Sequence, residues 1–224
     1  MSIHYHQSPQ SAVAPYIAQR ILTQLQSEKR VLWLLSGGSG GRLCIEASKL
    51  LAGHDLSGLF VTMSDERYGP LGHTNENMQQ LIDGGLTLPK ASVYRPISGA
   101  VRSKTTADFN AWLHKAEAET DYTIATLGIG EDGHTSGIKP HSPATTSTQW
   151  AVDFDGDDFE RITTTTTYLR TFNEAIVQLY GTSKHQRLYQ LLSGEGESED
   201  LPMLDIASIP YVTIFSDAPP MTNS

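Results

Sequence analysis

Residues 31–41 read Val-Leu-Trp-Leu-Leu-Ser-Gly-Gly-Ser-Gly-Gly, and this stretch decides the fold. The first five residues are apolar without alternation. That pattern predicts a strand covered on both faces, as in a parallel sheet. Four glycines in the next six residues permit unusual backbone angles and close approach of a ligand. A helix is predicted from Arg42 to about Ala52, and its unpaired N–H groups would face the glycine loop and favour an anion there. The spacing is not that of a Walker loop, because Gly-Lys-Ser/Thr is absent. It also misses the dinucleotide fingerprint, since Leu43 stands where a third glycine is needed. A plain strand-to-helix turn has the same composition, so this loop alone leaves both readings open.

The same alternation extends along the chain. Val13, Ile17, Ile21 and Leu25 repeat every four residues and predict a helix after Ser8-Pro9, read as cap and first helical position. Leu59–Met63, Tyr122–Leu127, Ala175–Tyr180 and Tyr211–Phe215 predict further core strands. Arg161–Thr165 predicts a strand from its β-branched run. Helices are expected over Asn75–Ile82, Thr105–Glu119 and Ser183–Leu192, with a helical turn at Tyr168–Asn173. Strands alternating with helices predict an α/β domain built on a mainly parallel sheet.

Composition narrows the function classes. The chain has 224 residues, 16 Lys plus Arg against 25 Asp plus Glu, and a net charge of -9. A chain of this length exposes about 10,000 Å² when folded against about 35,000 Å² unfolded, so a full core needs no metal or disulfide staple. The acidic balance argues against nonspecific nucleic-acid binding, although a few placed cations can still receive a small anion. Cys44 is the only cysteine, which excludes an internal disulfide framework, and its apolar neighbours make it a core residue. Residues 1–6 lack signal-peptide character, and no apolar run is long enough to span a bilayer. A cytoplasmic protein without a membrane partner is expected. The acidic stretch Asp153–Asp158 is too compact for a calcium loop and reads as a charged turn.

Two more loops follow predicted strands, where ligands gather in open α/β sheets. Asp65-Glu66-Arg67 places three charges just past an apolar run. Such charges need partners or solvent, and Arg67 offers a fork suited to phosphate or carboxylate. The other loop is Gly128-Ile-Gly-Glu-Asp-Gly-His-Thr135. His134 is the general-base candidate there, with Asp132 or Glu131 available to orient it. The remaining histidines lack helical metal-ligand spacing, so no metal is expected. No nucleophile elbow is present.

Taken together, Ser36-Gly-Gly38, Asp65-Glu-Arg67, the 75–78 segment and Gly128–Thr135 resemble the 6-phosphogluconolactonases. Their wider superfamily also holds the glucosamine-6-phosphate isomerases, or deaminases. Order and spacing match from Leu34 to Phe215. The resemblance implies one three-layer, Rossmann-like domain over residues 1–224. It implies hydrolysis of 6-phospho-D-glucono-1,5-lactone in the pentose phosphate pathway, without cofactor or metal, by a monomer or homodimer. His134, Asp132 and Asp65 would be catalytic. Ser36, Gly37, Gly38, Arg67, Thr135, Arg161 and Lys184 would bind substrate, with Arg67, Arg161 and Lys184 at its phosphate or acidic end. Arg42 and Lys139 are further cations near these segments. The deaminases carry tyrosine at the position of Arg67 and a glutamate soon after the loop histidine. This chain has Thr135-Ser-Gly-Ile-Lys-Pro140 instead, which favours the lactonase. A deaminase, or a sugar-phosphate binder without catalysis, is the alternative. Lys139 occupies a position where the family commonly has an aromatic, and the threonine run 163–167 is unusual.

Overall fold

The computed structural model describes residues 2–219. Its strands are β1 (Ser2–Gln7), β2 (Val31–Leu35), β3 (Leu59–Met63), β4 (Asp65–Arg67), β5 (Ser92–Val93), β6 (Tyr122–Gly128), β7 (Ala151–Asp155), β8 (Glu160–Thr164), β9 (Glu174–Leu179) and β10 (Tyr211–Ser216). Its α-helices are α1 (Val13–Gln26), α2 (Gly38–Leu51), α3 (Asn77–Asp83), α4 (Arg102–Glu119), α5 (Thr166–Leu169) and α6 (His185–Ser193).

Seven strands form one sheet in the order β1-β10-β9-β6-β2-β3-β5, and every pairing in it is parallel. β2 lies inside the sheet, next to the central strand β6, with Trp33 beside Val61 of β3 on one side and Ile124 of β6 on the other. Its period of two divides the core. Val31, Trp33 and Leu35 pack with α1 and α2 residues such as Ile17, Ile21, Leu43 and Cys44. Leu32 and Leu34 face the opposite layer, with Phe109 and Leu113 of α4 and Leu188 of α6. Burial of each such side chain is worth about 1.5–3 kcal/mol. The Trp33 indole N–H is also satisfied, donating to Thr126 Oγ1 at 2.9 Å.

The chain leaves β2 toward β3 on one side and later returns through β6 on the other. The order therefore reverses between β2 and β6, which opens a crevice at their carboxyl ends. A second, antiparallel sheet, β4-β8-β7, stands beside this crevice.

Several local expectations need correction. The predicted helix start at Arg42 moves to Gly38, because Gly37 is already the N-cap residue and the glycines 38, 40 and 41 form the first turn. Ser8-Pro9 does not start the first helix. Pro9 is extended, and a short 3₁₀ turn at Gln10–Ala12 leads into α1. The turn predicted at Tyr168–Asn173 is α5, four residues long, with Thr165 Oγ1 accepting the Tyr168 N–H. The threonine run has a packing role. Thr163 donates to Ser136 O, Thr165 to Gln149 O, Thr166 to Thr145 O and Thr167 to Ser147 O. Four hydroxyls thus fasten the segment 136–149 that follows the histidine loop.

Candidate active site

β4 explains the Asp-Glu-Arg triplet. Alternation along a strand sends Asp65 and Arg67 to one face and Glu66 to the other. Asp65 and Arg67 line a cavity of about 300 Å³ at the crevice. Glu66 is fully buried, and its carboxyl oxygens accept the Asn77 and Met78 N–H groups at 2.7 and 2.8 Å. It caps α3 rather than serving the cavity. Burial outweighs those bonds and pushes the Glu66 carboxyl up to about 8 from 4.5. Between those values the folded chain holds a proton that the unfolded chain releases. The contribution of Glu66 to stability therefore falls as pH rises through that window. Glu66→Gln is expected to unfold at lower denaturant than wild type at pH 5, because one amide oxygen replaces two acceptors. The gap should narrow by pH 8. Denaturant midpoints at both pH values check this, and a gap of constant size would contradict it.

The glycine-histidine loop follows β6. His134 Nδ1 lies 2.5 Å from Asp132 Oδ1, and the His134 backbone N–H donates to the same oxygen at 3.2 Å. The His134 hydrogen bond is the main cause holding the Asp132 carboxyl well below the usual carboxylate range. Asp132 is thus the ionised acceptor and Nδ1–H the donor, which leaves Nε2 as the proton-accepting nitrogen. Among the described residues Nε2 has no hydrogen-bond partner, and His134 lines the cavity. Two glycines make this geometry possible. A Cβ on Gly130 would lie 2.2 Å from His134 Nδ1, and one on Gly137 would lie 2.5 Å from the Asp65 side chain. Gly137 also has φ +72°, which glycine adopts without strain.

Arg161 of β8 sits directly opposite Arg67 of β4. Two guanidinium groups at neighbouring positions repel unless anions separate them. Asp158 takes Arg161 Nη2 in a two-oxygen grip at 2.8 and 3.0 Å, and Asp65 Oδ2 lies 3.4 Å from Nη1. Burial raises the Asp158 carboxyl, but the hydrogen bond and charge of Arg161 together bring it below its ordinary value. Arg67 is differently placed. Its guanidinium lies over the Phe159 ring at 4.6 Å, and its buried Nε has no partner. Neither Arg67 nor Lys184, which also lines the cavity, has a carboxylate partner among the described residues.

Eight of the ten predicted site residues line this one cavity: Ser36, Gly37, Gly38, Asp65, Arg67, His134, Arg161 and Lys184. Asp132 touches it through His134. Thr135 does not reach it. That side chain is fully buried, and its hydroxyl donates to Gly128 O at 2.9 Å, closing the base of the loop. Asp65 is not the partner of His134; it pairs with Arg161. Arg42 is no helper either, since it pairs with Glu46 on the exposed face of α2. Asn77, from the 75–78 segment of the resemblance, is on the cavity wall, and sequence reasoning missed Asp158 and Ser39 beside it. Asp158 was concealed in the acidic turn, where only its i,i+3 spacing to Arg161 offered a signal. Four cationic side chains and two carboxylates line the cavity, so it is locally positive in a chain of net charge -9. No described helix is long and apolar enough to cross a membrane.

A family model described as glucosamine-6-phosphate isomerases/6-phosphogluconolactonase matches residues 6–210. A 6-phosphogluconolactonase of Pseudomonas aeruginosa is 28% identical over 136 residues, covering 58% of this chain and 55% of that protein. The match thus spans little more than half of that relative. A 6-phosphogluconolactonase structure from Shewanella baltica OS155 superposes with a TM-score of 0.77 at 22% identity, over 96% of this chain and 97% of the other. A monomeric glucosamine-6-phosphate deaminase gives 0.74 at 19% identity, over 96% and 97%. Both likenesses concern the fold, which the two activities share.

Proposed function

The chain belongs to the glucosamine-6-phosphate isomerase/6-phosphogluconolactonase family, and from that premise we propose that it hydrolyses 6-phospho-D-glucono-1,5-lactone to 6-phosphogluconate. This is a ring-opening step of the pentose phosphate pathway. The observation that carries the reading is one cavity that joins a carboxylate-oriented histidine to two cations without a carboxylate partner among the described residues. A phosphorylated ester needs both features.

In this mechanism Arg67 and Lys184 hold the phosphate, Arg67 through a fork already flattened against Phe159. The phosphate anchors the lactone and places its C1 carbonyl beside His134. Nε2 accepts a proton from a water molecule as the water oxygen bonds to C1. Asp132 steadies the imidazolium through Nδ1–H. Gly38 and Ser39 line the same cavity at the first turn of α2, where N–H groups lack partners within the helix, and these N–H groups would serve the oxyanion. Collapse breaks the bond between C1 and the ring oxygen, and His134 returns its proton to that oxygen. Asp65 and Asp158 fix Arg161 and so the wall beside Arg67.

The deaminase reading lacks its acid. The residues lining the cavity include no glutamate, and Arg67 takes the tyrosine position. The purified chain is expected to open the lactone and to release no ammonia from glucosamine 6-phosphate. A coupled ammonia assay beside a lactone assay decides this. Ammonia release that exceeds that of a His134→Ala variant would reverse the assignment.

A further inference from the structure

Asp132 has two oxygens and two partners. Oδ1 serves His134 Nδ1 at 2.5 Å, and Oδ2 lies 3.2 Å from Lys139 Nζ. Lys139 lines the active cavity and also a neighbouring groove of about 550 Å³, where it stands with Asp132, His141, Asp155 and Asp157. Its side chain is 31% exposed, so its charge is only partly screened. The ammonium therefore sits behind the carboxylate that orients the histidine. Building on the lactonase reading, we infer that Lys139 is a positioning residue: it fixes the Asp132 carboxylate and offsets part of the charge that this carboxylate presents to His134.

His134 and Lys139 share one anion. The charge of Asp132 stabilises protonated His134. An ammonium on its second oxygen offsets part of that attraction and repels the imidazolium directly. The contact also stops the carboxylate from rotating, so Oδ1 stays on Nδ1. Other charged side chains line the cavity with His134: Asp65 and Arg67 from β4, Asp158 and Arg161 from the β7–β8 hairpin, and Lys184 from the turn before α6; Glu131, on the loop of His134 and Asp132, accepts from the Ser183 hydroxyl. Among the described residues only Asp132 is bonded to the imidazole, and Lys139 is its one cationic side-chain partner other than His134.

The test is the titration of His134 in Lys139→Met and Lys139→Arg, followed by NMR of the imidazole carbon-bound protons. The resonance absent from His134→Asn gives the assignment. In Lys139→Met the His134 midpoint should rise by about half a pH unit or more at low salt. The ascending limb of kcat/KM against pH should move up equally. Lys139→Arg, which keeps the charge, should hold both near wild type. An unmoved midpoint in Lys139→Met overturns the inference. So does a raised KM with an unchanged pH profile, which would make Lys139 a substrate contact. The NMR arm needs no turnover. Failure to hydrolyse lactone would sink the proposed activity while leaving the role of Lys139 open to direct measurement.

Discussion

Replacing His134 by alanine is expected to lower kcat for lactone hydrolysis by about 10²- to 10⁴-fold, the usual worth of a positioned proton transfer. Binding of 6-phosphogluconate should change little. The expectation follows from the geometry. The imidazole is half-exposed, held from one side by Asp132, and carries no structural bond through Nε2. Its backbone carbonyl, which accepts the Gly130 N–H at 2.9 Å, survives the substitution, so the loop should persist. Kinetics with the spontaneous rate subtracted, together with calorimetry of product binding, separate the two effects. A variant that loses product affinity and thermal stability in step with rate would show that His134 supports the loop instead. Near-wild-type kcat would remove it from the mechanism.

Arg67→Ala is expected to weaken binding of 6-phosphogluconate by about 10- to 150-fold, which corresponds to the roughly 1.5–3 kcal/mol of a charge-assisted hydrogen bond. Gluconate, which lacks the phosphate, should lose much less. The contrast with Arg161 is instructive. Arg161 lines the same cavity, yet its charge is committed to Asp158 and Asp65, and it is 7% exposed. Its removal would strand two carboxylates and should be felt in folding as well as in binding. Arg67 has no such partner. Equal affinity losses for the two ligands in Arg67→Ala would assign it to the sugar hydroxyls or to the hairpin.

The core strands were legible because burial on both faces favours apolar runs: β2 is apolar throughout, and β3, β6, β9 and β10 are mostly apolar with a few polar residues such as threonine between. β1 was not legible. Ser-Ile-His-Tyr-His-Gln mixes polar and apolar residues, as an edge strand with one neighbour can. The second sheet was hidden for another reason. β4 has three charged residues and no local strand signal. Its partner β8 is nearly a hundred residues away, and only their meeting defines the pairing. That pairing decides which charges of Asp65-Glu66-Arg67 see the cavity. Period-two alternation could have separated Glu66 from its neighbours, but only after the triplet was taken as a strand. The histidine loop was legible from its glycines. Which carboxylate serves His134 was not, because Asp132 and Asp65 are chemically alike and only distance distinguishes them.

The central claim is that this cavity opens a phosphorylated sugar lactone. The direct measurement is the disappearance of 6-phosphogluconolactone at neutral pH, followed by NMR with and without the purified chain. Saturable turnover well above the spontaneous rate is expected, with 6-phosphogluconate as the product. Product binding without any acceleration would contradict it, and would make the chain a sugar-phosphate binder.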